Sequence, residues 1–330
     1  MAPRSQAHHF RELSYDLPME LSVIIPTHNP HRGRLQRTLA GLKHQTLNPQ
    51  LWEALVIDNA STEPVGVSEI APYAPEGTRI VQEPQVGLTA ARRRGFLEAC
   101  GELMVLVDDD NVLAPDYLER TLQLFREHPQ VGALGGRSTP EFESPPASWA
   151  REFDDLIACR DLGDSPQISS GLLNPTTQRR EYPAFAPIGA GMALRAQAVE
   201  SWMRESERNA HRDRQGTELT SGGDNDIVFV AMENGWDVGY FPSLSLTHLI
   251  PTARTQLAYL QRLNRGISKS WVQVLHRHDA CPWEPIPRWT VPLRQARAWF
   301  AQRAWSSPIA SIRWQGICGH FEGLATLDRN

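Results

Sequence analysis

Residues 103–107 read Leu-Met-Val-Leu-Val and run straight into Asp108, Asp109 and Asp110, followed by Asn111. The apolar stretch is short, rich in Val and Leu, and does not alternate. That is the pattern of a strand buried on both faces of a mostly parallel sheet. A carboxylate triplet at the end of such a strand repels itself unless a positive group sits against it. A divalent cation is the usual solution, because hard cations take oxygen ligands and keep positions open for substrate phosphates. Open α/β sheets bind ligands beyond the carboxyl ends of their strands, so position and chemistry agree on a metal–diphosphate site. The competing reading is a solvated acidic turn before the helix that starts near Pro115, with its Asp residues as caps.

The same arrangement recurs upstream. Leu-Ser-Val-Ile-Ile-Pro over 21–26 is a first strand stopped by Pro26, and the loop Thr-His-Asn-Pro-His follows it. Ala-Leu-Val-Ile over 54–57 is a second buried strand, and it also ends in an acid, Asp58. Between them, Leu35, Leu39 and Leu42 at helical spacing predict a crossover helix over 34–45. A short strand is expected at 79–82 and a helix at 88–99, entered through Gly87 and carrying Arg92, Arg93 and Arg94. A further helix is expected at 117–127 and a strand at 131–136. Strand–helix alternation through about residue 136 predicts a doubly wound parallel sheet. Right-handed crossovers then bring the loops after Pro26, Ile57 and Val107 to one edge.

Beyond residue 136 the pattern is less regular. Pro, Ser and Gly over 137–187 predict loops around a helix near 147–158. In Ile-Gly-Ala-Gly-Met-Ala-Leu (188–194), Gly189 and Gly191 either admit a ligand to the backbone or mark a bend. Thr-Ser-Gly-Gly-Asp-Asn-Asp (220–226) is a turn opening a helix at 227–233, where Asp224 alone would read as an N-cap. Residues 235–242 and 244–248 read as two short strands, and His248 by itself as a structural histidine.

Charge is near balance, 33 basic against 38 acidic residues. The global basic field that nucleic-acid binders need is absent. Cys100, Cys159, Cys281 and Cys318 are widely spaced with no CxxC pair, which argues against a disulfide framework or a zinc site. The first 20 residues lack the apolar core of a signal peptide. No stretch approaches the roughly 18 apolar residues of a membrane span. A soluble or peripheral protein is expected, cytoplasmic or at the inner face of the cell membrane. Residues 285–321 contain no Asp or Glu but interleave Arg288, Arg294, Arg297, Arg303 and Arg313 with Trp289, Trp299, Trp305 and Trp314. A helix is expected over 291–304 with Leu293, Ala296 and Phe300 on one side, led into by a long helix over 254–275. This basic segment suits an anionic membrane surface. The alternative packs its tryptophans under the core or in a homodimer contact.

Taken in order, Ser-Val-Ile-Ile-Pro-Thr-His-Asn (22–29), Val-Ile-Asp-Asn-Ala-Ser (56–61), 87–95 with its Ala-Arg pair, Val-Asp-Asp-Asp-Asn (107–111), Gly-Ala-Gly-Met (189–192) and Gly-Asp-Asn-Asp (223–226), followed by Gly-Trp (235–236) and His248, resemble family 2 glycosyltransferases. The resemblance covers roughly 20–275. It implies a GT-A type α/β fold: a Rossmann-like, mostly parallel sheet flanked by helices. The expected layout is an N-terminal extension (1–20), a catalytic domain (21–250, with a nucleotide-binding half to 136 and an acceptor-side half after it) and a helical C-terminal extension (251–330).

The resemblance also implies inverting transfer from a nucleoside-diphosphate sugar, with uridine diphosphate favoured, to a saccharide or lipid-linked hydroxyl acceptor in bacterial polysaccharide or glycolipid synthesis. Pro26, Thr27 and Asn29 would line the nucleotide pocket, and Asp58 would meet the nucleobase. Arg92, Asp108, Asp109, Gly189 and Gly191 would complete the donor site. Asp110 and His248 would hold Mn²⁺ or Mg²⁺. Asp224 would be the catalytic base, with Asp226 as the alternative. The family pattern has Glu immediately before this Asp, where this chain has Gly223, and an Asn where Arg93 stands. A metal stabilises the departing diphosphate, and one base on the far side of the anomeric carbon suffices for inversion. A histidine ligand must be the free imidazole, so metal affinity should fall in mild acid. Two rivals remain: a nucleotidyltransferase, and a non-catalytic nucleotide-sugar-binding protein.

Overall fold

The computed structural model describes residues 19–174, 176–208 and 222–327. The expected N-terminal extension lies almost wholly outside these residues, as do Thr220 and Ser221. The first half builds β1 (Leu21–Thr27), α1 (Arg32–Lys43), β2 (Trp52–Asp58), the single turn α2 (Val67–Ile70), β3 (Arg79–Gln82), α3 (Leu88–Glu98) and β4 (Leu103–Leu106). All of these strands are parallel, in the order β3-β2-β1-β4. Period-two alternation explains why β1 is buried throughout. Val23 and Ile25 pack with Leu35, Leu39 and Leu42 of α1, while Ile24 packs with Ala91 and Phe96 of α3 on the other face. Each face of the strand is thus covered by its own helix.

The second half adds β5 (Asn111–Leu113), α4 (Tyr117–Glu127), β6 (Val131–Phe142), β7 (Gln167–Ser169), β8 (Ala193–Arg195), α5 (Ala196–Arg208), α6 (Gly223–Glu233) and β9 (Asp237–Ile250). Here short antiparallel pairings join the mostly parallel sheet. β8 runs antiparallel between β4 and β6, and β9 is parallel to β6 but antiparallel to β5 and β7. Burial on both faces is the same for either direction, so an apolar run does not reveal it. The two strands expected at 235–248 are one, β9, which shifts register against β6 between Gly135 and Arg137. The helix expected near 147–158 is a 3₁₀ run, Ser148–Ile157, broken at Phe153. The apolar residues after Gly189 and Gly191 enter β8, preceded by a turn in which Gly191 has φ +75°. α6 begins at Gly223 rather than at 227, which puts Asp224 in its first turn.

The C-terminal helices are α7 (Leu257–Arg277), α8 (Val291–Ala301) and α9 (Pro308–Leu324). α9 lies against α7 at close range. A Cβ at Gly319 would stand 2.0 Å from the Arg265 carbonyl oxygen. Among the described residues no helix is long and apolar enough to cross a membrane.

Candidate active site

Sheet order places the site. β1 feeds toward β2 and β3 on one side, while β4 lies on the other, and a crevice opens beyond the carboxyl ends of strands that diverge in this way. A cavity of about 560 Å³ occupies it. Pro26, Thr27 and His28 from the end of β1 line it, with Asn59 after β2, Leu88, Ala91 and Arg92 of α3, and Asp108, Asp109 and Asp110 after β4. Gly189, Asp224, His248 and Arg254 close it from the second half, and Tyr259, Leu263 and Ile267 of α7 add an apolar wall.

On the carboxylate edge, the Thr27 hydroxyl donates to Asp109. Burial, with Asp110 next to it, pushes the Asp109 carboxyl up to about 7. Asp110 goes the other way. Burial alone would raise it, but a hydrogen bond with His248 and the Arg254 charge hold it down at about 2. The β5–β9 ladder makes this contact by pairing Asn111 with His248, and the Leu249 amide donates to the Asp110 carbonyl at 2.8 Å. His248 Nε2 is 3.2 Å from Asp110 Oδ1. Arg254 reaches Asp110 Oδ2 at 3.1 Å and His248 Nε2 at 3.1 Å.

These contacts make opposed demands on Nε2. Arg254 can only donate to it, whereas the carboxylate can only accept from it. A cation that takes lone pairs from both the carboxylate and the imidazole would replace the direct Asp110–His248 contact and leave Arg254 to donate to Asp110 Oδ2. The spacing also fits, since adjacent ligands at right angles on Mg²⁺ lie about 3 Å apart. Among the described residues no group of three His, Cys, Asp or Glu could hold a metal. Asp110 and His248 would therefore supply two donors and leave the rest of the shell to phosphate and water, which is how Mg²⁺ is commonly bound.

The second carboxylate is Asp224. Its Oδ2 accepts the Gly189 amide at 2.9 Å and its Oδ1 accepts the Asn225 amide at 3.1 Å. Gly189 leaves room for Arg92, because a Cβ there would meet Arg92 Nη2 at 2.4 Å. Arg92 is 4 % exposed, and its Nε has no hydrogen-bond partner among the described residues. A buried guanidinium donor on a cavity wall is suited to an anionic phosphate oxygen.

Four expected positions stand off the cavity lining. Asp226 is off the cavity, because its Oδ1 accepts from Arg277 at 2.6 Å and meets His278 Nε2 at 3.0 Å, and its Oδ2 accepts Trp202 Nε1 at 3.0 Å. Burial would raise its carboxyl, but His278 and Arg277 hold it at about 2. Asp58 has no exposed surface. It accepts from the Ser61 and Val65 amides and from Gln82, so it shapes the loop after β2 while Asn59 takes the cavity wall. Asn29 staples the same loop, accepting from the Thr62 amide and donating its own amide to Ser61. Gly191 leaves space for Tyr117, whose hydroxyl donates to the Gly191 carbonyl at 2.5 Å.

Sequence reasoning missed Arg254, Asn59 and the α7 wall. Asn59 donates to the Glu83 and Gln85 carbonyls and accepts the Gly87 amide, fastening the entry to α3. Arg254 sits in the 3₁₀ turn Thr252–Thr255, where no periodicity marks it.

The family model for glycosyl transferase family 2 matches residues 22–202. An N-acetylglucosaminyltransferase of Mesorhizobium japonicum is 24% identical over 238 residues, which is 71% of this chain and 52% of that protein. A glucosyl-dolichyl phosphate glucuronosyltransferase of Haloferax volcanii is 24% identical over 147 residues, or 44% of this chain and 47% of the other. The chain thus spans about half the length of these relatives. In fold it is similar to the mannosyltransferase PcManGT of Pyrobaculum calidifontis, solved with GDP-Man and Mn²⁺. That likeness has a TM-score of 0.51 at 18% identity and covers 88% of this chain and 73% of the other.

Proposed function

The chain belongs to glycosyl transferase family 2, and on that premise we propose that it moves a sugar, with inversion, from a nucleoside-diphosphate sugar to a hydroxyl acceptor. The observation that carries this reading is one cavity lined by both the Asp108–Asp110 edge and the amide-anchored carboxylate of Asp224. The acceptor oxygen attacks the anomeric carbon and its proton passes to Asp224. The bond from that carbon to the diphosphate oxygen breaks, and its electron pair leaves with the nucleoside diphosphate. A single displacement inverts the centre and needs only this one base. Arg92 and Arg254 face the leaving diphosphate and offset its growing charge. Asp110 and His248 would hold Mn²⁺ or Mg²⁺, which supplies Lewis-acid stabilisation of the same oxygens.

Uridine diphosphate is the favoured carrier, and the guanosine diphosphate sugar named for PcManGT makes guanosine the first alternative. A saccharide acceptor, free or lipid-linked, suits the aromatic and apolar wall of Tyr259, Leu263 and Ile267. Polysaccharide synthesis is the setting in which a similar succinoglycan biosynthesis protein is named.

Thermal-shift titration with uridine, guanosine, thymidine and cytidine diphosphates, each with and without Mn²⁺, tests the donor site. One nucleotide should raise Tm in a metal-dependent way, and the shift should vanish in Asp110→Ala. Asp224→Asn should keep that shift while turnover falls by about 10²–10⁴. Full turnover in Asp224→Asn refutes the base, and no shift with any nucleotide refutes the donor site.

A further inference from the structure

We propose that the outer face of α8 is a docking surface for an anionic lipid bilayer. Among the described residues, Trp289, Leu293, Phe300 and Trp305 are 79 %, 70 %, 65 % and 55 % exposed. These are large apolar side chains clustered within 17 positions, not scattered singly, and such clusters mark interaction sites. On α8, Leu293, Ala296 and Phe300 fall at i, i+3 and i+7 and form one strip. Arg297 and Arg294 flank it along the same exposed side, with Arg288 and Arg303 at the two ends.

The opposite side of the helix is held by protein. Trp314 donates from Nε1 to the Gln295 carbonyl at 3.0 Å, and Gln295 donates from Nε2 to Glu322 Oε1 at 3.0 Å. Trp314 therefore accounts for part of the packing alternative raised by the sequence, while Trp289 is 79 % exposed and Trp305, though it packs on Trp299, is still 55 % exposed.

Charge selects the occupant. Residues 285–321 contain no Asp or Glu. A second copy docked face to face would set Arg294, Arg297 and Arg303 against their own counterparts, the nearby Glu322 being already engaged by Arg265 and Gln295, and like charges across an interface disfavour it. An anionic bilayer reverses the sign. Arginines meet headgroups within a Debye length, tryptophan rings settle at the headgroup level, and the Leu293–Phe300 strip enters the acyl boundary as the apolar side of an in-plane helix. No described helix is long and apolar enough to cross a membrane, so this contact is peripheral. It is also joined to the cavity by packing, because α8 packs on α9, α9 on α7, and α7 carries Tyr259, Leu263 and Ile267.

The test is co-sedimentation of the full chain with vesicles of phosphatidylcholine alone or with one-third phosphatidylglycerol. It needs neither donor nor turnover, so its outcome is separate from that of the proposed transfer. The chain should bind only the anionic vesicles, and more weakly as salt rises. Arg297→Gln with Arg303→Gln should weaken binding about 30-fold, from roughly 1 kcal/mol per basic residue. Phe300→Ser with Trp289→Ser should weaken it in the same assay with Tm unchanged, since both side chains are exposed. Equal binding to neutral vesicles, no binding to either, or binding insensitive to both pairs overturns the proposal. So does a dimer in size-exclusion chromatography that Phe300→Ser dissociates.

Discussion

Gly189→Ala isolates the positioning of Arg92 and Asp224 from the stability of the fold. A methyl group there would stand 2.4 Å from Arg92 Nη2 and 3.4 Å from Asp224 Oδ2. Ordinary contact between such atoms is about 3.5 Å, so the guanidinium must retreat by about 1 Å. That atom is the far end of a flexible side chain, so the movement leaves the backbone in place. Gly→Ala at a compatible backbone position changes stability by no more than about 1 kcal/mol, and in the favourable direction. Misplacing a group by 1 Å at a reacting centre, by contrast, can cost about 10²-fold in rate. The variant should therefore lose about two orders of magnitude in kcat/KM, followed as nucleoside diphosphate release from the donor, while Tm stays within a few degrees of wild type. Adding Gly189→Ala to Arg92→Ala should have little further effect, because both act through one contact. Wild-type kcat/KM in Gly189→Ala, or full additivity with Arg92→Ala, refutes the reasoning.

Arg254→Gln removes a charge-assisted contact worth about 1.5–3 kcal/mol. Calorimetric titration should show nucleoside diphosphate affinity falling at least tenfold, and an unchanged Kd would remove Arg254 from the site. The Asp226–His278 contact makes stability pH-dependent. Burial would lower His278, but hydrogen bonds to Asp226 and Glu233 raise it. Its contribution is complete below about 6.5 and is lost as pH climbs through the higher folded value. Asp226, held at about 2, contributes above about 3.9 and loses that contribution as pH falls toward 2. Tm against pH should flatten on its alkaline limb in His278→Asn, and a profile parallel to wild type excludes the link. Gly319→Ala drives a methyl group against the Arg265 carbonyl oxygen, 2.0 Å away. Backbone cannot swing aside, so overpacking of about 1–3 kcal/mol should lower Tm by several degrees, and an unchanged Tm would show that α7 and α9 are free to separate.

The first half of the fold was legible because its signals are local. β1 and β4 are buried at every position, so their sequences are largely apolar, with Ser22 and Thr27 the polar residues of β1, and the residues that end them mark the cavity directly. The second half depends on pairings far apart in sequence. His248 reaches Asp110 only because β5 and β9 pair in one register, and no pattern near residue 248 encodes that. β8 carries two apolar residues out of three, too short a stretch to reveal its direction. Arg254 is invisible for the same reason: its meaning lies in Asp110, 144 positions upstream.

The choice between Asp224 and Asp226 shows what a missing rotation angle costs a sequence reading. At about 100° per residue, two positions apart on a helix point about 200° apart. The two acids therefore cannot serve one site, and which faces the cavity depends on where α6 begins and how it is turned. Its start at Gly223 brings Asp224 to the Gly189 amide and turns Asp226 toward Trp202, Arg277 and His278. Gly223 stands where the family pattern has Glu, so a second carboxylate is absent beside Asp224. The Gly189 and Asn225 amides are both donors to Asp224, one on each carboxylate oxygen, and they fix its orientation. Backbone amides therefore orient the carboxylate proposed as the base.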